Sequence, residues 1–180
     1  MYRVKNDKRV LRSVSAITEG LFRCLETRNL TDLAISDVAR ESDVSRATFY
    51  RLFDAPEDVL AYVCDQASRK LALRLASIPN NKKRRDVLIM ATQYLLDNSP
   101  LIEILVRNKR ADLLIIPMIT DASLYMDDKY PDLTEDEKKY VRASAASFLF
   151  SVLIVWSETT QKIPAQELLD LHYRIYGQQG

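Results

Sequence analysis

The stretch SDVARESDVSRATFYRLF, residues 36–53, decides the fold. It predicts two short helices joined by residues 43–45, because apolar side chains recur at helical spacing on both sides of that joint. At 100° per residue, the second helix places Phe49 and Phe53 together on one side. The opposite side then holds Ala47, Thr48 and Arg51, flanked by Tyr50 and Leu52. Two helices with a three-residue joint and one outward polar side have the layout of a helix-turn-helix.

Composition favours an all-α protein around this motif. The chain has 180 residues, of which 47% are hydrophobic, enough for one domain or two closely packed ones. Only 3 residues are glycine, whereas sheets and phosphate-binding loops need more turn residues than that. Further helices are predicted over 7–27, 55–77, 83–97, 134–161 and 165–176, with one more beginning within 98–103.

Helix starts and breaks follow from capping residues. Predicted N-caps are Ser36, Ser45, Asp54 and Ser99, with Glu57 completing a capping box for Asp54. Pro117 lies inside an apolar stretch and predicts a helix boundary or kink near Ile116.

Charge is unevenly distributed along the chain. The formal net charge is only +1, but residues 1–53 hold 10 Lys and Arg against 7 Asp and Glu, a net of +3. The remainder holds 16 against 18, a net of −2. The asymmetry indicates an N-terminal module that faces an anion.

The outward side of the second helix suits DNA. Ser45 caps the helix, whose N-terminal amides and positive dipole favour a phosphate. Arg46 is suited to guanine or to the backbone, and Thr48 and Tyr50 carry hydroxyls for phosphate oxygens. Ala47 is small enough for close approach to a thymine methyl. The alternative is a helical hairpin whose polar side is merely solvated.

The stretch LAISDVARESDVSRATFYRLFDAPEDVL, residues 33–60, resembles the DNA-binding domain of the tetracycline-repressor (TetR-like) family of bacterial regulators. The matching elements are Val38-Ala39, Val44-Ser45, Thr48-Phe49-Tyr50, Phe53 and Glu57-Asp58-Val59-Leu60. The resemblance covers roughly residues 7–65. It implies a DNA-binding domain over 1–53 and an effector-binding and dimerisation domain over 54–180.

The resemblance further implies a homodimer that binds double-stranded DNA at a palindromic operator, usually as a repressor. The isolated cysteines and the lack of an apolar run of membrane-spanning length separately indicate a reducing cytoplasm. The family's DNA contacts map onto Ser45, Arg46, Ala47, Thr48 and Tyr50, with Arg51 as a further candidate. An effector, a small molecule of unknown identity, would shift the population between DNA-competent and DNA-incompetent states through the helix at 55–77.

Three positions depart from the family pattern and favour an alternative. Asp43 stands where a turn glycine is usual, Leu52 where His or Tyr often follows, and Pro56 where Lys is common. Leu52 and Pro56 each lose a phosphate contact. Asp43 adopts a positive φ less easily than Gly, although better than most residues, and adds a negative charge near the DNA. The alternative is a helical protein-interaction or small-molecule-binding module that has lost specific DNA binding.

The C-terminal half supplies candidates for the other two tasks that the resemblance implies. A small-residue run followed by apolar residues predicts a dimer interface formed by Ala143, Ser147, Phe148, Val152 and Val155. A buried helix within one subunit is the alternative. Candidate pocket residues are Met90, Tyr94, Leu105, Met118, Tyr125 and Trp156, although such residues are more often core than pocket.

An enzyme, a metal site and a membrane span are not predicted. The chain has one His, His172, and two separated cysteines, Cys24 and Cys64, without metal-ligand spacing or a nucleophile–base pair. No cofactor is therefore expected. The longest apolar run, FLFSVLIVW at 148–156, is about half as long as a membrane span requires.

Overall fold

A computed structural model describes residues 2–4, 7–79, 83–160 and 162–176. Within those ranges the chain forms ten α-helices, a 3-10 turn at Leu30–Asp32 and no β-strand. The helices are α1 (Lys8–Thr27), α2 (Ile35–Glu41), α3 (Arg46–Leu52), α4 (Pro56–Ala76), α5 (Arg84–Asp97), α6 (Ser99–Arg107), α7 (Asp112–Asp121), α8 (Ser123–Lys129), α9 (Glu135–Glu158) and α10 (Ala165–Tyr176). The all-α prediction is confirmed.

The chain divides into two compact units, residues 1–66 and 67–180. Helix α4 contributes residues to both units. The domain boundary predicted from sequence, between residues 53 and 54, separates a DNA-binding domain from an effector-binding domain. This functional division stays a prediction.

In the first unit, α1 packs against α2 and α3. The apolar stripe predicted on α1 is buried at Ile17, Leu21 and Leu25, and these residues join a core that includes Phe49 and Phe53. Helix α1 comes close to the end of α2 at Gly20, where there is no room for a side chain. A Cβ atom added there would lie 2.7 Å from Ser42 Cβ and 2.8 Å from the Ser42 backbone nitrogen.

Helix starts differ from the predicted caps at three of four places. Ser45 does cap α3, but α2 is capped at Ala34, so that Ser36 lies within the helix. Helix α4 begins at Pro56. There the carboxylate of Asp58 accepts from the backbone amides of Asp54 and Ala55, at 3.0 and 3.2 Å.

The predicted capping box of Asp54 and Glu57 was therefore wrong. The capping carboxylate belongs to Asp58, and the Asp54 side chain pairs with the Arg3 guanidinium. The Ser99 cap was also wrong, because α6 begins at Ser99 with Asn98 as its cap and Pro100 in the first turn.

In the second unit, α9 packs against α5, α6, α7 and α8, and α10 packs against α5. Pro117 lies within α7, so the predicted helix boundary near Ile116 was wrong, and the other predicted outcome, a kink there, stays a prediction. Proline removes only one intrahelical hydrogen bond, and the flanking Leu114 and Met118 are both buried. Tertiary packing therefore carries the helix through this position.

Helix α9 is the longest helix of the described chain and is mostly apolar. By length and composition alone it could cross a membrane, but the core helix of a soluble protein has the same features. Its buried residues Leu149, Phe150 and Leu153 belong to the core of the second unit.

Candidate nucleic-acid interface and effector cavity

Helix α3 is held at its start by the side chain of Ser45. The Ser45 hydroxyl accepts a hydrogen bond from the backbone amide of Thr48 at 3.1 Å, and the two hydroxyls lie 3.0 Å apart. This arrangement satisfies one of the amides that a helix start leaves without an intrahelical partner. Ser45 and Thr48 therefore shape the start of α3.

The seven residues of α3 divide sharply between core and solvent. Phe49 is fully buried, Leu52 is 2% exposed, and Tyr50 is 55% exposed. Of the six predicted DNA-contacting residues, the structure places five in solvent, namely Ser45, Arg46, Ala47, Tyr50 and Arg51, whereas Thr48 is half-buried. Two guanidinium groups and a phenol thus share one exposed surface, which we call the outward surface of α3.

The turn before α3 requires a left-handed residue, and Asp43 supplies it. Its φ is 52°, a conformation that Gly adopts freely and Asp more readily than most residues. The turn is closed by a 3.0 Å hydrogen bond from the Val44 amide to the Ala39 carbonyl. The Asp43 side chain is exposed, so its carboxylate remains in solvent beside the start of α3.

The other two departures from the family pattern take different places. Leu52 belongs to the core of the first unit, so its predicted position beside the outward surface was wrong. The reason is that α3 ends there and the chain turns inward at Phe53, which is also buried. Pro56 is half-buried at the first position of α4, where a missing N–H costs little.

Residues 2–4, which we call the clamp segment, hold the end of α3. Tyr2 forms an antiparallel bridge with Phe53, and the Arg3 amide donates to the Leu52 carbonyl at 2.8 Å. The Arg3 guanidinium pairs with Asp54. The only sequence signal for this contact is a tyrosine and an arginine ahead of an amphipathic helix, which does not predict it.

A cavity of about 410 Å³ lies in the second unit. Apolar side chains from α4, α5, α7, α8 and α9 dominate its wall. Two of the predicted pocket residues, Met118 and Tyr125, line it.

The other four predicted pocket residues lie outside its lining. Leu105 is fully buried in the core, and Met90 is 48% exposed. The Tyr94 hydroxyl donates to the Ala67 carbonyl at 3.1 Å, and the Trp156 indole donates to the Ile163 carbonyl at 3.0 Å.

Few polar groups reach the cavity. The polar residues in its lining include Arg142, Tyr125, Tyr130 and Ser144, and the Ser144 hydroxyl donates to the Val141 carbonyl at 3.0 Å. Ser68 also lines it, but the Ser68 hydroxyl donates to the Asp121 carboxylate at 2.7 Å. Such a wall suits a largely apolar ligand that carries a small number of polar groups.

Cysteine and the other side chains that could ligate a metal ion are scattered through the part of the chain that the structure describes. No group of three or more His, Cys, Asp or Glu side chains there could hold a metal ion. Cys24 and Cys64 form no disulfide bond. Burial, assisted by the nearby Glu41 carboxylate, raises the pKa of the Cys24 thiol, which disfavours its reactive thiolate.

One side of α9 is exposed along most of its length. Tyr140 is 79% exposed and Val155 is 60% exposed, and serines at 144, 147 and 151 fill the steps between them. Of the predicted interface residues, Ser147 and Val155 lie on this surface, whereas Ala143, Phe148 and Val152 are half-buried. Helix α10 adds the exposed Leu171 and Ile175, and its His172 ring lies 4.5 Å from the Phe148 ring.

No protein-family model matches the chain. A curated relative is the uncharacterised HTH-type transcriptional regulator YxbF of Bacillus subtilis strain 168, which is 24% identical over 148 residues. The match covers 79% of this chain but 39% of YxbF, so this chain spans about two-fifths of that protein's length.

Solved structures resemble the chain over nearly its whole length. Lin0861 of Listeria innocua has a TM-score of 0.79 at 16% identity, covering 96% of this chain and 93% of that one. FadR of Thermus thermophilus, a TetR-family transcriptional repressor in complex with lauroyl-CoA, has a TM-score of 0.61 at 16% identity. The match covers 93% of this chain and 95% of FadR. Three further TetR-family proteins have TM-scores of 0.60 to 0.63.

The chain has the tetracycline-repressor fold. The resemblance read from residues 33–60 is thereby confirmed at the level of fold. In this tetracycline-repressor fold, α2 and α3 are the two helices of the helix-turn-helix.

Proposed function

We propose that this chain is a DNA-binding transcriptional regulator of the tetracycline-repressor type. The observation that carries the proposal is the division of α3, with Phe49 and Leu52 in the core and Arg46, Tyr50 and Arg51 in solvent. A buried face fixes the helix, and an exposed cationic face is what the major groove accepts.

Each exposed residue has a role in the proposed complex. Arg46 and Arg51 bring positive charge to the phosphates, and Arg46, at the first position of α3, is the candidate reader of guanine. Tyr50 offers a hydroxyl to a phosphate, and Ala47 permits close approach to a base edge. Ser45 caps the helix and presents its start to the DNA.

The proposed active form is a homodimer that binds a palindromic operator. The exposed side of α9 supplies small serines between Tyr140 and Val155, and α10 adds the apolar Leu171 and Ile175. Small residues permit close helix approach, so these two helices suit a four-helix interface between two copies. Two recognition helices would then lie about 34–36 Å apart, or a multiple of that, to enter successive major grooves.

The cavity of the second unit is the proposed effector site. Its volume of about 410 Å³ falls within the range of small-molecule pockets, and its apolar wall with a single described guanidinium suits an apolar molecule with an anionic end. The lauroyl-CoA complex of Thermus thermophilus FadR is a precedent for a ligand of that kind within this fold. Effector binding would favour one state of the regulator, and the expected location is the cytoplasm.

The decisive experiment is selection of bound sequences from random duplex DNA, followed by affinity measurements at several salt concentrations. We expect an enriched palindrome and an affinity that falls steeply with salt, because phosphate contacts release counterions. Absence of any enriched sequence, with weak binding at low salt only, would overturn the proposal.

A second candidate function is a helical interaction or small-molecule-binding module without specific DNA binding. The exposed carboxylate of Asp43 favours it, since a negative charge beside the recognition helix repels phosphates. Under this alternative, a ligand would bind the cavity although no DNA sequence is enriched.

A further inference from the structure

Helix α3 is short, and its last carbonyls lie beside the clamp segment. A helix leaves its final carbonyl groups without intrahelical partners, and in α3 two of these groups receive donors from Arg3. The Arg3 amide donates to the Leu52 carbonyl at 2.8 Å, and the Arg3 guanidinium donates to the Tyr50 carbonyl at 3.4 Å. The positive charge of Arg3 also lies at the negative end of the helix dipole.

The same guanidinium is fixed by a two-point ion pair with Asp54. One nitrogen lies 2.8 Å from one carboxylate oxygen, and the other lies 3.1 Å from the second. Both side chains are about half exposed. Asp54 follows α3 directly, so this pair fastens the clamp segment to the chain just beyond the helix.

Tyr2 joins the same region to α4. Its ring lies 6.5 Å from the Phe53 ring and 5.2 Å, edge to face, from the Tyr62 ring. Its hydroxyl donates to the Asp65 carboxylate. Tyr2 and Arg3 of the clamp segment therefore contact both the end of α3 and the side of α4 within the first unit.

We propose that the clamp segment is a positioning element for the recognition helix, which raises DNA affinity by holding α3 in place and not by contacting DNA. The inference rests on the proposed DNA-binding function. A helix of seven residues is not stable by itself, so its orientation depends on what packs against it. Arg3 is then a positioning residue, and Asp54 is its necessary partner.

The sign of one substitution separates positioning from plain electrostatics. Asp54→Ala removes a negative charge near the recognition helix, and by charge alone it should strengthen DNA binding. If the clamp positions α3, Asp54→Ala should instead weaken binding, by about two- to fivefold for an exposed pair of this kind. Arg3→Ala should weaken it to a similar extent, and the double variant should be hardly weaker than either single variant.

A matched control is available in the same unit. Arg23 and Glu41 form an ion pair of 2.8 Å with similar exposure, between α1 and α2. Glu41→Ala removes the same charge without touching the end of α3. We expect it to leave DNA affinity unchanged or slightly raised. If Asp54→Ala behaves like Glu41→Ala, the inference is overturned.

Salt dependence tests whether Arg3 contacts DNA itself. A lost phosphate contact lowers the slope of log affinity against log salt by about one unit. We expect Arg3→Ala to weaken binding at every salt concentration with an unchanged slope. A slope lower by one would make Arg3 a phosphate contact and overturn the positioning role.

Amide hydrogen exchange separates failure of this inference from failure of the proposed function. In Arg3→Ala, the amides of α3 should exchange several-fold faster while those of α1 keep their protection. If the parent protein binds no DNA sequence, the proposed function fails, and this measurement still decides whether residues 2–4 hold α3. Unchanged exchange in α3 would overturn the inference.

Discussion

At the scale of single residues, the side chains of α3 have separate tasks, and substitutions should separate them. Arg46→Ala removes an exposed guanidinium from the outward surface without opening the core. We expect operator affinity to fall by about 1–3 kcal/mol if Arg46 reads guanine, with relaxed preference at one base position. Affinity for the selected operator and for single-base variants of it measures this.

The control for that substitution is Arg69→Ala, which removes the same charge from an exposed position in the second unit. It should leave the operator affinity and the base preference nearly unchanged. Equal losses for the two variants would indicate that Arg46 acts only through net charge.

Asp43 offers a substitution expected to improve two properties together. Asp43→Gly relieves a left-handed conformation at φ 52° and removes a carboxylate beside the recognition helix. We expect unfolding stability to rise by up to about 1 kcal/mol and DNA affinity to rise as well. Chemical denaturation and operator titration measure the two effects. Asp43→Asn, which keeps the backbone conformation, should improve affinity with a smaller gain in stability.

The residue-scale predictions from sequence succeeded where local chemistry decides. Ser45 caps α3 because Ser at that position accepts from the third amide whatever the rest of the fold does. Ser36 and Ser99 have equally good capping side chains but lie inside helices. Helix α2 begins earlier because the Asp37 carboxylate accepts from the Ala34 amide. Asn98 precedes α6 without a side-chain cap bond, and its side-chain amide donates to the Tyr94 carbonyl. Sequence spacing alone does not rank competing starts.

At the scale of elements, the contact between α1 and α2 depends on one absent side chain. Gly20→Ala would bring a Cβ atom to 2.8 Å from the Ser42 backbone nitrogen. Overpacking costs about 1–3 kcal/mol, which outweighs the helix gain of about 1 kcal/mol from alanine. We expect a lower melting temperature in thermal unfolding.

A second substitution tests whether the clash with Ser42 causes the loss of stability in Gly20→Ala. Ser42→Gly in the Gly20→Ala background removes the Ser42 Cβ atom but leaves the backbone nitrogen in place, so it should recover only part of the stability. Full recovery would show that the side chain, and not the backbone, limits the approach of the two helices.

Because of the carboxylate at the start of α2, the free energy of unfolding should depend on pH in the acidic range. The Ala34 amide, followed by the Arg28 guanidinium, lowers the pKa of Asp37 by hydrogen bonding to its carboxylate. Because the folded pKa lies below the unfolded one, this contribution is present in full above the unfolded pKa. It is lost as the pH falls through the lowered folded pKa.

Denaturant unfolding from pH 6 down to pH 3 should therefore show a steeper loss of stability in the parent than in Asp37→Asn, which cannot titrate. Identical slopes for the two proteins would contradict the role assigned to this carboxylate.

At the scale of the whole molecule, the exposed side of α9 should control assembly. Val155→Asp places a charge on a side chain that is 60% exposed in one copy, so the fold of that copy should tolerate it. If this surface joins two copies, the introduced carboxylate would be buried without a partner in the dimer. The free energy of dimerisation should then become less favourable by several kcal/mol, so that the dimer dissociates. Sedimentation at several protein concentrations measures the shift.

Ile116→Asp is the matched control, since Ile116 is 62% exposed on α7. It should leave assembly unchanged. Dissociation by both variants, or by neither, would exclude α9 as the interface.

The sequence predicted the class of fold and the two helices of the helix-turn-helix but only part of the cavity lining. Helical spacing identifies an apolar side of one helix, as for Phe49 and Phe53, from neighbouring residues alone. Whether a residue lines the cavity depends on how five helices that are far apart in sequence pack together. Leu105 and Met118 look alike in sequence, yet Leu105 packs in the core while Met118 lines the cavity.

The separation of tasks within α3 makes its specificity open to redesign. The buried Phe49 and Leu52 carry the fold, and positions 46, 47, 50 and 51 are exposed. A combinatorial library confined to those four positions should yield mostly folded proteins with altered operator preferences. Under the proposed function, two such variants in one cell would then regulate different promoters without cross-talk, once the proposed dimer surface is also diversified.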